Sequence, residues 1–136
     1  MTGEMMPHAY HHSLSSVKKW GGTVEDYARI HDFFDESKRL IADFRHRALR
    51  HHAEGIFVAG TIFGRTITLS SGRVVPTRLI GEQHVREDLG FIPSFADWVD
   101  CQTAPSNIDA AIAQKCCLNV RHQGSSWRHY TADLQC

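Results

Sequence analysis

Much that would give a function away is missing from this chain of 136 residues. No apolar run approaches the roughly 20 residues needed to cross a bilayer, so no membrane-spanning helix is expected. The stretch Met1 to His12 lacks the basic start and apolar core of a secretory signal. Lysine plus arginine and aspartate plus glutamate both number 15, so net charge gives no pull toward a membrane surface or a long nucleic acid. There is no C-x-x-C spacing. The four cysteines (Cys101, Cys116, Cys117 and Cys136) all fall in the last third and do not read as a disulfide framework. A reducing cytoplasm is therefore the expected setting. No G-x-S-x-G elbow, P-loop or glycine-rich dinucleotide fingerprint is present, which leaves nucleophilic and nucleotide-binding chemistry without support.

What remains is ordinary globular composition, 42% hydrophobic and 22% charged, enough for one domain. Met5 and Met6 precede Pro7, so residues 1–6 read as an extension or an alternative start. Tyr10, Leu14 and Val17 recur at helical spacing and Trp20-Gly21-Gly22 stops that helix. Thr23 with Asp26 is a capping box opening a helix of about 12 residues, whose inward stripe is Val24, Tyr27, His31 and Phe34.

A long third helix is expected from Glu36 to Phe63, capped by Asp35 or Ser37. Leu40, Ile41, Phe44, Ala48, Gly55, Val58, Ala59 and Ile62 fall on one face of it. From Leu49 a second apolar strip (Ala53, Ile56, Phe57) marks it as the central element, packed on two sides. Thr66 to Leu69 and Val74-Val75 around Ser70-Ser71-Gly72 read as a β-hairpin, with Pro76 on an edge. Gly81 and Gly90 frame a short helix over Glu82–Leu89, and Ser94 with Asp97 is a second capping box. The expected fold is α+β but mainly α: a small helical bundle around one long central helix, plus a hairpin. The globular domain covers residues 7–100, and 101–136 is an appendage, with one amphipathic helix over Ser106–Val120 and then an irregular stretch.

The compositional anomaly is histidine, ten residues, eight of them before residue 85. His31 lies in the middle of its helix stripe and His51 near the Phe44 face of the long helix. Burying an unpartnered imidazole costs a few kcal/mol, so such rings need hydrogen bonds, carboxylates or a metal. Asp35 follows His31 by four residues and Asp88 follows His84 by four, each on the same helix face. Neutral imidazoles with carboxylates form mixed sites for zinc, manganese, iron or nickel. The candidate metal ligands are thus His31, His51, His84, Asp35 and Asp88, with His11, His12 and His52 as additional candidates. His31-Asp32 also matches the adjacent His-Asp pair of metal-dependent phosphohydrolases, with His11 or His12 before it and Asp88 or Asp100 after it.

Lys38, Arg39, Arg45, Arg47 and Arg50 make one edge of the long helix basic against only Asp43 and Glu54. Arg47 and Arg50 beside the histidine face are the candidate anion-binding residues. A small anion is easier to place there than a polyanion. Two functional readings follow: a histidine-rich metal- or small-anion-binding domain, which as an enzyme would be a metal-dependent hydrolase, or a non-enzymatic interaction module. In the second, the histidines are structural and the basic edge meets a phosphate-bearing or protein partner.

Several strings are distinctive: Tyr10-His11-His12-Ser13-Leu14-Ser15-Ser16-Val17-Lys18-Lys19-Trp20-Gly21-Gly22, Ile30-His31-Asp32-Phe33-Phe34-Asp35, His46-Arg47-Ala48-Leu49-Arg50-His51-His52 and Ile80-Gly81-Glu82-Gln83-His84-Val85-Arg86-Glu87-Asp88-Leu89-Gly90. Together they resemble a family of small bacterial and phage proteins carrying a domain of unknown function, over about residues 7–100. The resemblance implies a prokaryotic cytoplasmic origin and brings no activity, ligand or catalytic residue with it.

Overall fold

The computed structural model describes residues 7–103, which fall into two compact units divided after Pro93. The expectations for residues 1–6 and for Ser106–Val120 lie outside the described residues, as do Cys116, Cys117 and Cys136. The first unit runs α1 (Pro7–Trp20), α2 (Val24–Asp35), two short 3-10 turns (Glu36–Arg39 and Phe44–His46), α3 (Arg47–Arg50) and α4 (Ala53–Phe63). The hairpin β1 (Thr66–Thr68) and β2 (Val74–Pro76) follows, then α5 (Thr77–Leu89). The second unit opens with α6 (Phe95–Thr103). The fold is mainly helical with one small antiparallel sheet, and Ile67 pairs with Val75 in its middle.

Local chemistry explains the boundaries. Gly21 and Gly22 both take positive φ (84° and 77°), which ends α1 and turns the chain toward α2. A Cβ on Gly22 would also lie 2.5 Å from Asp26 Oδ2, the atom that accepts the Thr23 N–H at 2.8 Å to complete the capping box. The Ser94–Asp97 box forms reciprocally in the second unit, Ser94 N–H to Asp97 Oδ2 at 2.7 Å and Asp97 N–H to Ser94 Oγ at 3.1 Å. The short helix expected from Glu82 begins five residues earlier, at Thr77. Gly81 sits inside it, where it permits close packing: a Cβ there would meet Phe34 at 3.1 Å and Ile56 at 3.2 Å.

The single long helix over Glu36–Phe63 does not form. His51 has φ −86° and ψ 65°, which breaks the helical path. His52 is extended and caps α4, its Nδ1 accepting the Gly55 N–H at 3.0 Å. Neither Asp35 nor Ser37 caps through its side chain. Ser37 Oγ instead ties the two 3-10 turns, donating to the Phe34 and His46 carbonyls. The expected core face is broken accordingly: Leu40, Val58 and Ile62 are exposed, whereas Ile56 and Ala59 are buried. The elements packed on several sides are α2 and α5, which meet each other and both contact α1 and α4. Between them lie Tyr27, Phe34, Ile80 and Val85, all fully buried beside an equally buried set of histidines.

Candidate metal centre

Helical spacing places two of the ligand pairs. On α2, His31 and Asp35 share the inward face at i,i+4; on α5, His84 and Asp88 do the same. His51 reaches the same point because the chain breaks there, which swings its ring inward to full burial. Phe34 stacks on the His84 ring with centroids 4.9 Å apart and meets His51 edge-on at 5.8 Å, fixing both imidazoles against α2.

Asp35, His51, His84 and Asp88 each offer one ligand atom, and these four atoms lie within 4.8 Å of one another. His51 Nε2 is 2.9 Å from Asp88 Oδ2 and 3.2 Å from His84 Nε2. His84 Nε2 is 3.7 Å from Asp88 Oδ2 and 3.9 Å from Asp35 Oδ1. First-row metals hold nitrogen and oxygen at about 2.0–2.2 Å, so donors around one ion stand about 3–4 Å apart. The spacing therefore fits a single ion.

His46, which was not among the candidate ligands, adds a further donor. Its Nδ1 lies 2.8 Å from the Asp43 carbonyl, to which it donates, so the neutral ring carries its lone pair on Nε2. That Nε2 is buried, makes no hydrogen bond and lies 4.0 Å from Asp35 Oδ1. Asp35 Oδ2 is also buried without a hydrogen-bond partner. A buried acceptor left so costs about 1–3 kcal/mol, more for a charged one.

Protonation favours ligation. Burial pushes His31 down to about 3, with the His12 charge adding to the effect. Burial likewise takes His46 down to about 4 against its bond to Asp43. Desolvation lowers His51 despite Asp88, and lowers His84 well below the usual range together with its neighbouring histidines. For Asp88, burial works toward protonation, but hydrogen bonds from His12 and His51 hold the carboxyl well below the ordinary range. Neutral rings face ionised carboxylate, as a cation site requires.

The remaining sequence candidates are distributed around this point. His12 lies at its edge, with Nδ1 on Glu87 and Nε2 3.2 Å from Asp88 Oδ1; burial opposes its charge, but these carboxylates raise its pKa. Arg47 Nε is 3.5 Å from Asp88 Oδ2 and Lys38 Nζ 2.9 Å from Asp35 Oδ1. His31 stands behind His84 rather than in the donor set, its Nδ1 3.0 Å from His84 Nδ1 and its Nε2 2.9 Å from Ser16 Oγ. Neither His31 nor Asp32 belongs to the ligand group. His52 is spent on the α4 cap, and His11 is exposed against Tyr10. Arg50 turns away, donating to the Phe33 carbonyl and Glu36 and lying over the Phe33 ring at 4.3 Å. Periodicity could not find His46, because on one continuous helix it lies about 140° from His51. Gln83 and the role of Ser16 beside His31 were not legible, because nothing in their spacing marks these polar residues as buried.

A cavity of about 650 Å³ opens between α4 and α5, lined by Ile56, Phe57, Gly60, Arg78 and Glu82 among others, and none of the donors lines it. The model of a domain of unknown function (DUF6915) matches residues 7–108, about three-quarters of the chain. No curated protein and no solved structure matches it.

Proposed function

The chain belongs to the DUF6915 family, and we propose that it is a metal-binding domain whose centre is formed by Asp35, His51, His84 and Asp88, with His46 as a fifth donor. The observation carrying this reading is the convergence of four ligand atoms within 4.8 Å, on three buried side chains and the partly buried Asp88, drawn from three segments. It is supported by Asp35 Oδ2 and His46 Nε2, buried acceptors left without hydrogen bonds at the same place. Mixed nitrogen and oxygen donors suit zinc, manganese, iron or nickel. As a hydrolase, the domain would use the ion to lower the pKa of a bound water to about 7, and Arg47 beside Asp88 would receive an anionic group such as a phosphoester. No helix among the described residues is long and apolar enough to cross a membrane. A cytoplasmic setting in a bacterium or phage-infected cell is part of the same reading, resting on cysteine usage and the sequence resemblance.

A second reading has its own observation. Lys38 on Asp35, Arg47 and His12 on Asp88 already offset the buried carboxylates, as in a structural network within a non-enzymatic interaction module. Titration of chelator-stripped protein with zinc, manganese, iron and nickel separates the two. A metal at 100 times its Kd adds about 2.7 kcal/mol of stability, which raises the Tm of a domain this size by about 10–20 °C. A Tm unmoved by every one of these metals overturns the metal-binding reading.

A further inference from the structure

A row of polar groups, buried at Gln83, Ser16 and His31, runs from the more exposed Glu87 to the back of His84, and its protons can be counted. Gln83 Nε2 donates to Glu87 Oε1 at 2.9 Å and to the His12 carbonyl at 3.2 Å, which spends both amide hydrogens. Its Oε1 therefore faces Ser16 Oγ, 2.9 Å away. Ser16 is fully buried and has one proton, which goes to that oxygen or to the His12 carbonyl at 3.1 Å. Toward His31 Nε2, at 2.9 Å, the hydroxyl has only lone pairs, so His31 must donate there. A neutral imidazole carries one N–H. His31 Nδ1 is consequently bare, and the 3.0 Å contact between the two Nδ1 atoms is a bond donated by His84. The lone pair of His84 then sits on Nε2, toward His51, Asp88 and Asp35.

We propose that Ser16 and Gln83 are positioning residues which, through His31, hold His84 as the Nδ1–H tautomer with its Nε2 lone pair turned into the donor cluster. Partners behind a ligating imidazole fix its tautomer and orientation, and their loss typically lowers metal affinity 10–100-fold. The tautomer stands on hydrogen bonding alone; its consequence for affinity rests on the metal-binding reading above.

The test begins with long-range proton–nitrogen correlation spectra of the ¹⁵N-labelled full chain in chelator at neutral pH. His31 is expected as the Nε2–H form and His84 as the Nδ1–H form. A His84 that is protonated on Nε2 overturns the proposal, whether or not any metal binds. Ser16→Ala and Gln83→Met are then compared with the parent by the same spectra and by zinc competition against a chromogenic chelator. Mixed His84 tautomers with a 10–100-fold loss of affinity at unchanged far-UV circular dichroism are expected. Unchanged tautomer and affinity in both variants would overturn the positioning role. The Nδ1–H form in a protein that binds no zinc would uphold the relay and sink only the metal.

Discussion

Acidifying the chelator-treated protein from about pH 7 to about pH 5 carries an unfolded histidine through its ordinary pKa of about 6.5. In the fold, His31 stays neutral down to about 3 and His46 down to about 4, and burial also lowers His51 and His84. The sign follows directly. These folded pKa values lie below the unfolded one, so the unfolded chain takes up protons that the native rings refuse. Their stabilisation is complete above about pH 6.5 and drains away as the pH falls toward the folded values. Each ring contributes at most about 1.4 kcal/mol per pH unit, so four together approach about 5 kcal/mol per unit. His12 has the opposite sign: its raised pKa stabilises at low pH, and that stabilisation is lost as pH rises through the raised value. Since it is charged in both states below about pH 6, it cannot offset the acid loss. With a total stability of about 5–15 kcal/mol, the fold should fail near pH 5. Urea unfolding by far-UV circular dichroism at half-unit pH steps measures the slope. A value equivalent to three or four protons is expected, and His31→Gln should remove one. A slope below one proton between about pH 6.5 and 5 would refute the neutral, buried histidine cluster.

Other residues give independent checks. A Cβ on Gly55 would lie 2.0 Å from the Arg50 carbonyl oxygen, so Gly55→Ala should lower the urea midpoint by about 1–3 kcal/mol equivalent despite alanine's better helix propensity. Asp26 accepts from Thr23 N and from Ser70 N and Oγ, tying the start of α2 to the hairpin turn. Asp26→Ala should cost about 1 kcal/mol at neutral pH in the same assay. Desolvation works to raise the Asp26 pKa, but these bonds together outweigh it and lower the value, so the contribution is present above the ordinary carboxylate pKa and lost as pH falls through the lowered value. Asp35→Asn removes one carboxylate donor and the partner that Lys38 Nζ meets at 2.9 Å. Calorimetric metal titration should show affinity falling at least about 10-fold in a variant that far-UV circular dichroism shows to be folded, with a lower metal-free Tm from the lost ion pair.

The elements set by short-range chemistry were legible in the sequence. The Thr23–Asp26 and Ser94–Asp97 boxes, the Gly21-Gly22 stop and the hairpin around Ser70-Ser71-Gly72 each depend on neighbours in the chain, and each formed. The i,i+4 pairs His31/Asp35 and His84/Asp88 were legible for the same reason, and Asp35, His84 and Asp88 joined the cluster. The region from Glu36 to Phe63 was not. Its apolar residues keep a helical period, but the turn at His51 and the capping role of His52 are set by burial against α2 and α5. No local residue preference announces a histidine as a helix cap or break. His46 was lost to the same error, since only the broken chain brings its ring to Asp35. The Ser16–Gln83 relay joins residues 67 apart and has no sequence signature.

The central claim is that a metal sits among Asp35, His51, His84 and Asp88, and it is tested most directly by metal content. Inductively coupled plasma mass spectrometry on the full chain, purified without a histidine tag, would be run beside the His51→Ala variant. Near-stoichiometric zinc, manganese, iron or nickel in the parent that is absent from a folded variant is the predicted result. A parent that is metal-free as purified, and remains so after incubation with each of the four, would contradict the account and leave the histidines as the polar core of an interaction module.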